Sequence, residues 1–211
     1  MINLKLKTIA SFVSPEDIVI DTCCDHAYLA IYLKENKLCK DVFASDINLN
    51  ALNGAKRNIE KAHLEIKTYL SDGFKNISND NIDTVVIAGV GTSTVLNIIK
   101  GAPKNIRKYI ISSNNNHEYL RKALYEQGLF IQKEEVVFEK GKYYVIMLVT
   151  KTYQKENKLS LKYGKSNNKD YYLSLLKKEQ DVLDKVPKSK LLLKFSHKKN
   201  IKSLKRIIQR M

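Results

Sequence analysis

Between residues 17 and 127, short apolar runs of strand length alternate with longer segments whose apolar residues recur at helical spacing. The runs predict five strands, at 17–21, 41–46, 64–72, 82–89 and 108–113. Helical patterns follow four of these runs, at Tyr28–Asn36, Leu49–Ala62, Ser93–Lys100 and His117–Gln127. Strands that alternate with helices form parallel sheets, so the pattern predicts an α/β protein with helices on both faces of the sheet.

Residues 130–151 break this alternation, because they read as two strands joined around 139–141 without a helix between them. Such a pair adds an antiparallel edge to a mostly parallel sheet. This is the outline of a class I methyltransferase, a Rossmann-like fold, whereas a plain dinucleotide-binding fold more often continues with parallel units. A short first helix before Pro15 is also predicted, and its inner side is formed by Leu4, Leu6, Ile9 and Phe12.

The net charge of +15 is concentrated in the last part of the chain. Residues 1–150 carry 19 Lys and Arg against 17 Asp and Glu, whereas residues 151–211 carry 18 against 5. An AT-rich genome makes lysine codons common, but it does so everywhere and does not remove acids from one segment. Clustered basic charge is the usual electrostatic footprint of nucleic-acid binding, so the sequence predicts a tail that binds a polyanion.

The basic tail contains two helical patterns. Apolar residues recur at helical spacing from Tyr172 to Val186, Pro187 interrupts them, and a second stripe runs from Ile201 to Met211 among lysines and arginines. Two helices that face RNA are one interpretation. A helical cap on the sheet with a solvated outer face is the other, and both hold if the apolar stripes dock while the lysines face RNA.

These patterns divide the chain into two predicted domains. Residues 1–155 form the sheet domain, and residues 156–211 form a small, basic, coiled-coil-like helical extension. The stretch 163–170 is the most linker-like part of the sequence.

Composition also limits where the protein works. No apolar run approaches the roughly 20 residues that a membrane-spanning helix needs, and the first ten residues show no signal-peptide core. Three cysteines are too few for a disulfide framework and fit a reducing compartment. We therefore expect a soluble, cytoplasmic protein without a membrane partner, and a monomer is favoured.

Acidic residues end the first three predicted strands, at Asp21, Asp46 and Asp72, the last followed by Gly73. In open parallel sheets, ligands bind beyond the carboxyl ends of the strands. A carboxylate at Asp46 can accept hydrogen bonds from both hydroxyls of a ribose, and the small residues of 87–91 let a ligand approach the backbone. A lone Asp at a strand end is more often a helix cap or a surface acid. Four successive strand ends with suitable chemistry favour a nucleoside cofactor.

Seven stretches of the sequence resemble those of one known family, the bacterial tRNA adenine-22 N1-methyltransferases. Asp-His-Ala-Tyr-Leu and Glu-Gly-Lys-x-Tyr are the most specific of the shared patterns, and the resemblance covers nearly the whole chain. The stretches are DTCCDHAYLAIYL (21–33), VFASDIN (42–48), SDGF (71–74), VVIAGVG (85–91), IISSNNNHEYLRKALYEQGLFI (110–131), EKGKYYVIMLV (139–149) and LSLKYGK (159–165).

The resemblance implies S-adenosyl-L-methionine (SAM) as methyl donor and N1 of an adenine in the tRNA D arm as acceptor. It also implies which residues surround the cofactor and the target base. Asp21, Cys23, Cys24, Asp25, His26 and Tyr28 line the methionine end and the mouth of the site, Asp46 and Ile47 hold the ribose, Asp72 and Gly73 face the adenine, and Ala88, Gly89 and Gly91 border the place where the target base enters.

This sequence departs from the family pattern at several of those positions. Cys23 and Thr92 stand where the family has glycine, and Ala30 stands where it has proline. Cys24 replaces Ser, and Ser112 with Ser113 replaces a Gln-Pro pair. Because glycine permits close contact and unusual dihedral angles, the small side chain of Cys23 is expected to narrow the approach of SAM without blocking it.

The methyl transfer needs little from the protein beyond alignment of adenine N1 with the methyl carbon and sulfur of SAM. Adenine N1 already carries a lone pair, so the acceptor needs no strong base. A carboxylate or amide near the exocyclic amine would help as positive charge develops on the ring, and Asp25 is the first candidate for this role and Asn114 the second. His26 at a helix start is more often structural, and Tyr28 either stacks on a base or packs.

Other functions are weighed against this one. A metal site is one such alternative, with Cys23, Cys24, His26 and Cys39 as its possible ligands. Adjacent cysteines are poorly oriented to bind one ion tetrahedrally, and the sequence has no CxxC pattern, so no metal is expected. Two alternatives stay open: a SAM-dependent enzyme that acts on another RNA or on a small molecule, and a non-catalytic RNA-binding protein that retains the fold.

Overall fold

The computed structural model describes residues 2–77 and 81–211, which contain eight helices and seven strands. The helices are α1 (Leu4–Ala10), α2 (Tyr28–Glu35), α3 (Leu49–Lys61), α4 (Thr92–Lys100), α5 (His117–Glu126), α6 (Lys158–Tyr163), α7 (Lys169–Lys185) and α8 (Leu191–Gln209). The strands are β1 (Ile18–Thr22), β2 (Asp41–Asp46), β3 (Thr68–Leu70), β4 (Thr84–Ala88), β5 (Lys108–Ser112), β6 (Phe130–Glu139) and β7 (Lys142–Thr150).

All seven strands belong to one sheet in the order β3-β2-β1-β4-β5-β7-β6. The first five in that order pair in parallel, and β7 pairs antiparallel with both β5 and β6. The predicted mostly parallel sheet with an antiparallel edge is therefore confirmed. The chain order reverses between β1 and β4, which makes the carboxyl ends of these two strands the place where an open sheet of this kind binds its ligand.

The central strands are buried on both faces, as expected for parallel strands covered by helices. Ile20, Val86 and Ile110 on three adjacent strands are fully buried, and so are Leu33 of α2 and Leu124 of α5. A full side chain of this size stabilises the fold by about 1.5–3 kcal/mol when it leaves water, so these layers hold the strand ends in place.

Two local predictions differ from the structure. The third strand spans only three residues, because the edge strand pairs only with Ala44–Asp46 of β2 and ends where that partner ends. Leu4, predicted on the inner side of the first helix, is 48% exposed, while Ile9 and Phe12 are buried as expected. No described helix is long and apolar enough to span a bilayer.

A helix that the sequence did not reveal, α6, packs on α5 and is held by a buried ion pair. The Arg121 guanidinium donates two hydrogen bonds to the Glu134 carboxylate, at 2.8 and 3.0 Å, and a third to the Lys162 carbonyl at 3.2 Å. Gly164 passes so close that a Cβ there would lie 1.9 Å from Glu134 Oε1. The pair therefore fixes the segment that follows the sheet.

The chain divides into two compact units, and the boundary between them follows Lys165. The second unit, Ser166–Met211, is a helical hairpin of α7 and α8. Within it, Glu179 of α7 accepts hydrogen bonds from His197 at 2.7 Å and from Asn200 at 3.2 Å, both on α8. The two predicted tail helices are present.

Candidate active site

A cleft of about 630 Å³ opens at the carboxyl ends of β1, β2 and β3, beside α4. Its floor comes from strand ends, and its far wall comes from the helix. The lining residues are Thr22, Cys23, Ser45, Ile47, Ser71, Asp72, Gly73, Phe74, Lys75, Thr94, Asn97, Ile98 and Gly101. The cleft therefore lies at the edge of the sheet that the strand-end acids predicted.

Asp46 organises the loops on two sides of this cleft. One carboxylate oxygen accepts the backbone N–H of Asp25 at 3.1 Å, and the other accepts that of Asn48 at 2.9 Å. Each oxygen of an ionised carboxylate can accept a further hydrogen bond, so both remain able to bind a ligand hydroxyl. Two fixed acceptors at the end of β2 are what a ribose diol requires.

The turn from β1 to α2 holds a strained backbone where glycines would be expected. Cys23, Asp25 and Ala27 have φ angles of 60°, 48° and 56°, in the left-handed region. Each such residue costs about 1 kcal/mol or more relative to glycine. The turn is held by Cys24 N–H donating to Ser45 O at 3.0 Å and by Ala27 N–H donating to Cys24 O at 2.8 Å.

The two cysteines of this turn have different surroundings. Cys23 lines the cleft, and burial together with Asp46 and Asp21 raises the pKa of its thiol to about 12. Cys24 packs into the hydrophobic core instead of the cleft, and burial raises its pKa as well. Both thiols are therefore protonated at neutral pH, which is the opposite of a thiolate nucleophile or metal ligand. Within residues 2–77 and 81–211, no cluster of three metal-ligating side chains occurs.

Asp21, at the end of β1, is 5% exposed, and burial raises the pKa of its carboxyl to about 7, with a smaller contribution from Asp46. The ammonium of Lys5 opposes this rise. Lys5 comes from the first turn of α1, and its Nζ lies 3.9 Å from the point that a Cβ on Gly89 would occupy. Sequence reasoning did not identify Lys5, because nothing in the spacing links the first helix to the loop after β4.

The loops after β4 and β5 meet beside Gly89. Asn114 donates from its side-chain amide to the Gly89 carbonyl at 2.6 Å, and its backbone N–H donates to Val90 O at 2.9 Å. Gly89 has a φ of 84°, a conformation that favours glycine. Asn114 thus lies next to the backbone where the resemblance puts the entrance for the target base.

Two of the departures from the family pattern contact each other in these loops. The hydroxyls of Thr92 and Ser113 lie 2.9 Å apart in a hydrogen bond, and Thr92 Oγ1 also donates to Asn115 O at 2.6 Å. A buried hydroxyl without a partner costs roughly 1–3 kcal/mol. Here each hydroxyl has at least two partners, because Ser113 Oγ also lies 3.1 Å from Asn115 O. Ser112 Oγ, by contrast, is buried without a hydrogen-bond partner within the described residues.

Comparisons with known proteins agree with this architecture. The family described as "Methyltransferase domain" matches residues 2–147. A Mycoplasma pneumoniae protein described as "Putative tRNA methyltransferase" is 32% identical over 152 residues, which cover 70% of this chain and 71% of that protein. The Bacillus subtilis tRNA (adenine(22)-N(1))-methyltransferase is 26% identical over 152 residues, covering 70% and 64% of the two chains.

A solved structure extends the similarity to the whole chain. M. capricolum TrmK, in complex with the cofactor product S-adenosyl-homocysteine (SAH), is 29% identical and superposes with a TM-score of 0.87 over 99% of this chain and 98% of that one. The chain belongs to the tRNA (adenine(22)-N1)-methyltransferase family. SAM is accordingly its cofactor.

Within this methyltransferase, the structure brings several of the expected residues together. Cys23, Ile47, Asp72 and Gly73 line one cleft. Asp46, between the lining residues Ser45 and Ile47, holds the backbone of Asp25 and Asn48. The Asp72 carboxylate forms an ion pair with Lys75 at 2.5 Å.

Other expected residues lie at the rim. The Asp25 and His26 side chains are 70% and 50% exposed and lie 3.5 Å apart, and the His26 ring is 5.4 Å from that of Tyr28. Ala88 ends β4, and Gly91 is the N-cap of α4.

The sequence did not identify several lining residues of the methyltransferase cleft. Phe74, Asn97 and Ile98 form its apolar and amide wall, and Ser71 holds the loop by donating to Gly73 O at 2.9 Å. The residues of α4 carry an ordinary amphipathic pattern, so their helix periodicity gave no indication that one end of the helix faces a ligand.

Proposed function

We propose that this methyltransferase transfers the methyl group of SAM to N1 of adenine 22 in tRNA. The observation that carries the proposal is the carboxylate of Asp46, which is fixed by two backbone N–H groups and lies in sequence between Ser45 and Ile47, two residues that line a 630 Å³ cleft. The family membership supplies the reaction class, and the cleft supplies a nucleoside site of the right chemistry.

The cofactor is expected to lie along the carboxyl edge of the sheet. Asp46 accepts the ribose hydroxyls, and Asp72, Phe74 and Ile98 surround the adenine ring. Asp21 lies at the methionine end. When bound, SAM supplies a methyl group activated by a sulfonium.

The residues beside Gly89 are proposed to receive the target adenine. Asn114 uses its Nδ2 for the Gly89 carbonyl, and within the described residues its Oδ1 accepts no hydrogen bond. This oxygen is suited to accept the N–H of the exocyclic amine, which becomes a stronger donor as the ring gains positive charge. Asn114 and Asp25 are both exposed, and Asn114 becomes the first candidate for the electrostatic role because it is the one that lies beside Gly89.

N1 lies on the Watson–Crick edge, so the protein must hold the target base outside its stack. Contacts to the tRNA phosphates can hold the RNA in position without recognising its base sequence. Residues 185–211 carry ten Lys and Arg and no Asp or Glu, and most of these basic side chains are exposed. We propose that this surface of α8 positions the tRNA.

The test uses purified protein, labelled SAM and one tRNA transcript that carries adenine 22. Digestion of the product should release N1-methyladenosine, and a matched transcript with guanine at position 22 should give none. Asn114→Ala should lower the turnover about 10- to 100-fold while SAH affinity stays within about 3-fold, because an oxygen that acts on the developing charge contributes to the transition state.

The alternatives predict different results in the same assay. Labelled SAM incorporated equally into both transcripts would indicate another nucleotide as the acceptor. Binding of tRNA without any incorporation would favour the non-catalytic RNA-binding protein. The expected monomer and the cytoplasmic location stay predictions from the sequence.

A further inference from the structure

The hairpin of β6 and β7 projects beyond the edge of the sheet at which the cleft opens. β6 is parallel to β5, because both pair antiparallel with β7, so its carboxyl end lies at the same edge as those of the parallel strands. The register pairs Ile111 with Met147, and Met147 with Glu134, and β5 ends at Ser112. Residues 136–145, the hairpin tip, therefore extend past β5 by about 13 Å, at roughly 3.3 Å per residue.

The hairpin tip has a fixed shape. Lys140 and Gly141 have φ angles of 49° and 76°, the two left-handed conformations of a two-residue type I′ turn. Strand pairing continues up to this turn, with Glu139 opposite Lys142. The Glu139 carboxylate accepts the Leu4 N–H at 2.8 Å, which joins the hairpin tip to the start of α1. Its side chains are therefore held in position before any partner binds.

One face of the hairpin tip carries an exposed pair of aromatic rings. Phe138 lies directly opposite Tyr143, and their ring centres are 4.7 Å apart. Phe138 is 54% exposed. Side chains alternate along a strand, so Tyr144 lies on the other face, where its ring centre is 5.2 Å from Lys5 Nζ. The aromatic pair is therefore left available on the face that does not contact α1.

Positive charge accompanies these rings. Lys140 and Lys142 are both exposed, and within residues 2–77 and 81–211 neither has a carboxylate within 4.0 Å. Exposed rings next to free ammonium groups are typical of surfaces that bind unpaired nucleic acid, in which bases stack on the rings and phosphates contact the charges. A second copy of this chain would bring like charges together, so the lysines favour a polyanion as the partner.

We infer that the hairpin tip binds a nucleotide that flanks the target adenine in tRNA. Phe138 and Tyr143 stack on its base, and Lys140 and Lys142 contact the adjoining phosphates. The inference rests on the proposed function, because it assumes that the adenine enters beside Gly89, in the loop next to the end of β5. Extrusion of the adenine exposes the face of a neighbouring base, and an aromatic ring that covers this face compensates for the lost stacking.

The experiment measures binding of a tRNA transcript with adenine 22 to the full chain, without SAM. Phe138→Leu keeps an apolar side chain but removes the ring, and it should weaken tRNA binding about 5- to 30-fold. Phe138→Trp should retain the wild-type affinity, and SAH affinity should stay within about 3-fold in both variants.

Tyr153 supplies a matched control at the opposite end of the same two strands. It is 67% exposed, and its ring centre is 5.1 Å from that of Phe130. Tyr153→Leu should leave tRNA affinity unchanged. Equal losses in Phe138→Leu and Tyr153→Leu would overturn the inference, because any exposed aromatic residue would then have the same effect.

A second transcript, with abasic nucleotides on both sides of adenine 22, tests the stacking itself. Wild-type protein and Phe138→Leu should bind this transcript equally, because no flanking base is left to stack. A loss that persists on it would overturn the inference. As a second variant, Lys140→Gln combined with Lys142→Gln changes only exposed side chains and should reduce the salt slope of log K by about 1 to 2. An unchanged slope would exclude the phosphate contacts.

The two proposals fail in different ways. Unchanged tRNA affinity in Phe138→Leu, with N1-methyladenosine still formed, would overturn this inference alone. If Phe138→Leu instead reduced self-association of the protein in sedimentation, the hairpin tip would be an interface between copies of the chain. Binding of tRNA that depends on Phe138 and on the flanking bases, without N1-methyladenosine as product, would sustain this inference while the proposed reaction failed.

Discussion

The two compact units of the chain differ in how their charged side chains are arranged. In the unit that ends at Lys165, the important charged groups are buried or held at fixed distances, as in the Arg121–Glu134 pair and at Asp21. In Ser166–Met211, 13 Lys and Arg stand against 4 Asp and Glu, and most of them lie at the surface. The first arrangement fits a small ligand that needs a fixed geometry. The second fits a polyanion, which is attracted to charge density more than to any single contact.

The hairpin unit also exposes several large apolar side chains close together in sequence. At the start of α8, Leu191, Leu192 and Phe195 are 73%, 89% and 71% exposed. By contrast, its only fully buried leucine is Leu204. The hairpin therefore has a thin core, and its stability depends on fewer contacts than that of the sheet.

The largest expected effect comes from breaking a buried charge pair in the first unit. Glu134→Gln leaves the Arg121 guanidinium buried without a counter-charge, and this should lower the free energy of unfolding by about 3–5 kcal/mol. Glu135→Gln, at an exposed pair with Lys133, should cost less than about 1 kcal/mol. Chemical denaturation of both variants gives the comparison. Equal losses would show that burial does not distinguish the two pairs.

The next effect tests the second unit by charge alone. Replacing the exposed Lys198, Lys202 and Lys205 by Gln should weaken tRNA binding about 30- to 100-fold and reduce the salt slope of log K by about 2 to 3. SAH affinity should not change. Filter binding over a salt series provides the measurement.

A second triple variant controls for net charge. Lys37, Lys40 and Lys61 are exposed lysines of the first unit, and changing them to Gln removes the same charge from the chain. If both triple variants lose tRNA affinity equally, total charge and not the α8 surface attracts the tRNA, and the contrast between the units fails.

Much of the first unit could be predicted from the sequence, because strands and helices differ in the period of their apolar residues. Ile18–Thr22 and Asp41–Asp46 were placed to within one residue for this reason. The strand-end acids Asp46 and Asp72 could be assigned to the cofactor site, because a parallel sheet brings carboxyl ends to one edge.

The remaining features depend on contacts between residues far apart in the sequence, which no local sequence pattern predicts. Helix α6 has only six residues and is stabilised by an Asn157–Ser160 capping box and by its place near Arg121, not by an apolar stripe. Lys5 reaches Gly89 only because the first helix packs beside the sheet. The Thr92–Ser113 hydrogen bond joins two departures that, taken separately in sequence, look like losses.

A smaller effect concerns pH and involves a group of the first unit only. The pKa of Asp21 is about 7 in the folded protein and is lower in the unfolded chain, so folding stability contributed by this group falls as pH rises from about 4 to about 7. Its ionised form is the one that binds an ammonium. SAH affinity should therefore rise about 10-fold between pH 6 and pH 8. The probe 5′-methylthioadenosine has the same nucleoside and thioether as SAH but lacks the amino acid, so its affinity should stay level. A parallel rise for both compounds would assign the titration to another group.

The smallest effect concerns Cys23, where a side chain stands in a backbone conformation suited to glycine. Cys23→Gly removes both the left-handed strain and the thiol, whereas Cys23→Ala removes only the sulfur and keeps the strained φ of 60°. The glycine variant should be more stable than the alanine variant by about 0.5–1 kcal/mol, since only glycine adopts this conformation freely. Because the thiol lines the cleft and is protonated at neutral pH, both variants should bind SAH within about 3-fold of the wild-type protein. Calorimetry and thermal unfolding test the two statements separately. A tenfold loss of SAH affinity in both variants would show that the sulfur contacts the cofactor, and the departure from glycine would then be part of the binding site.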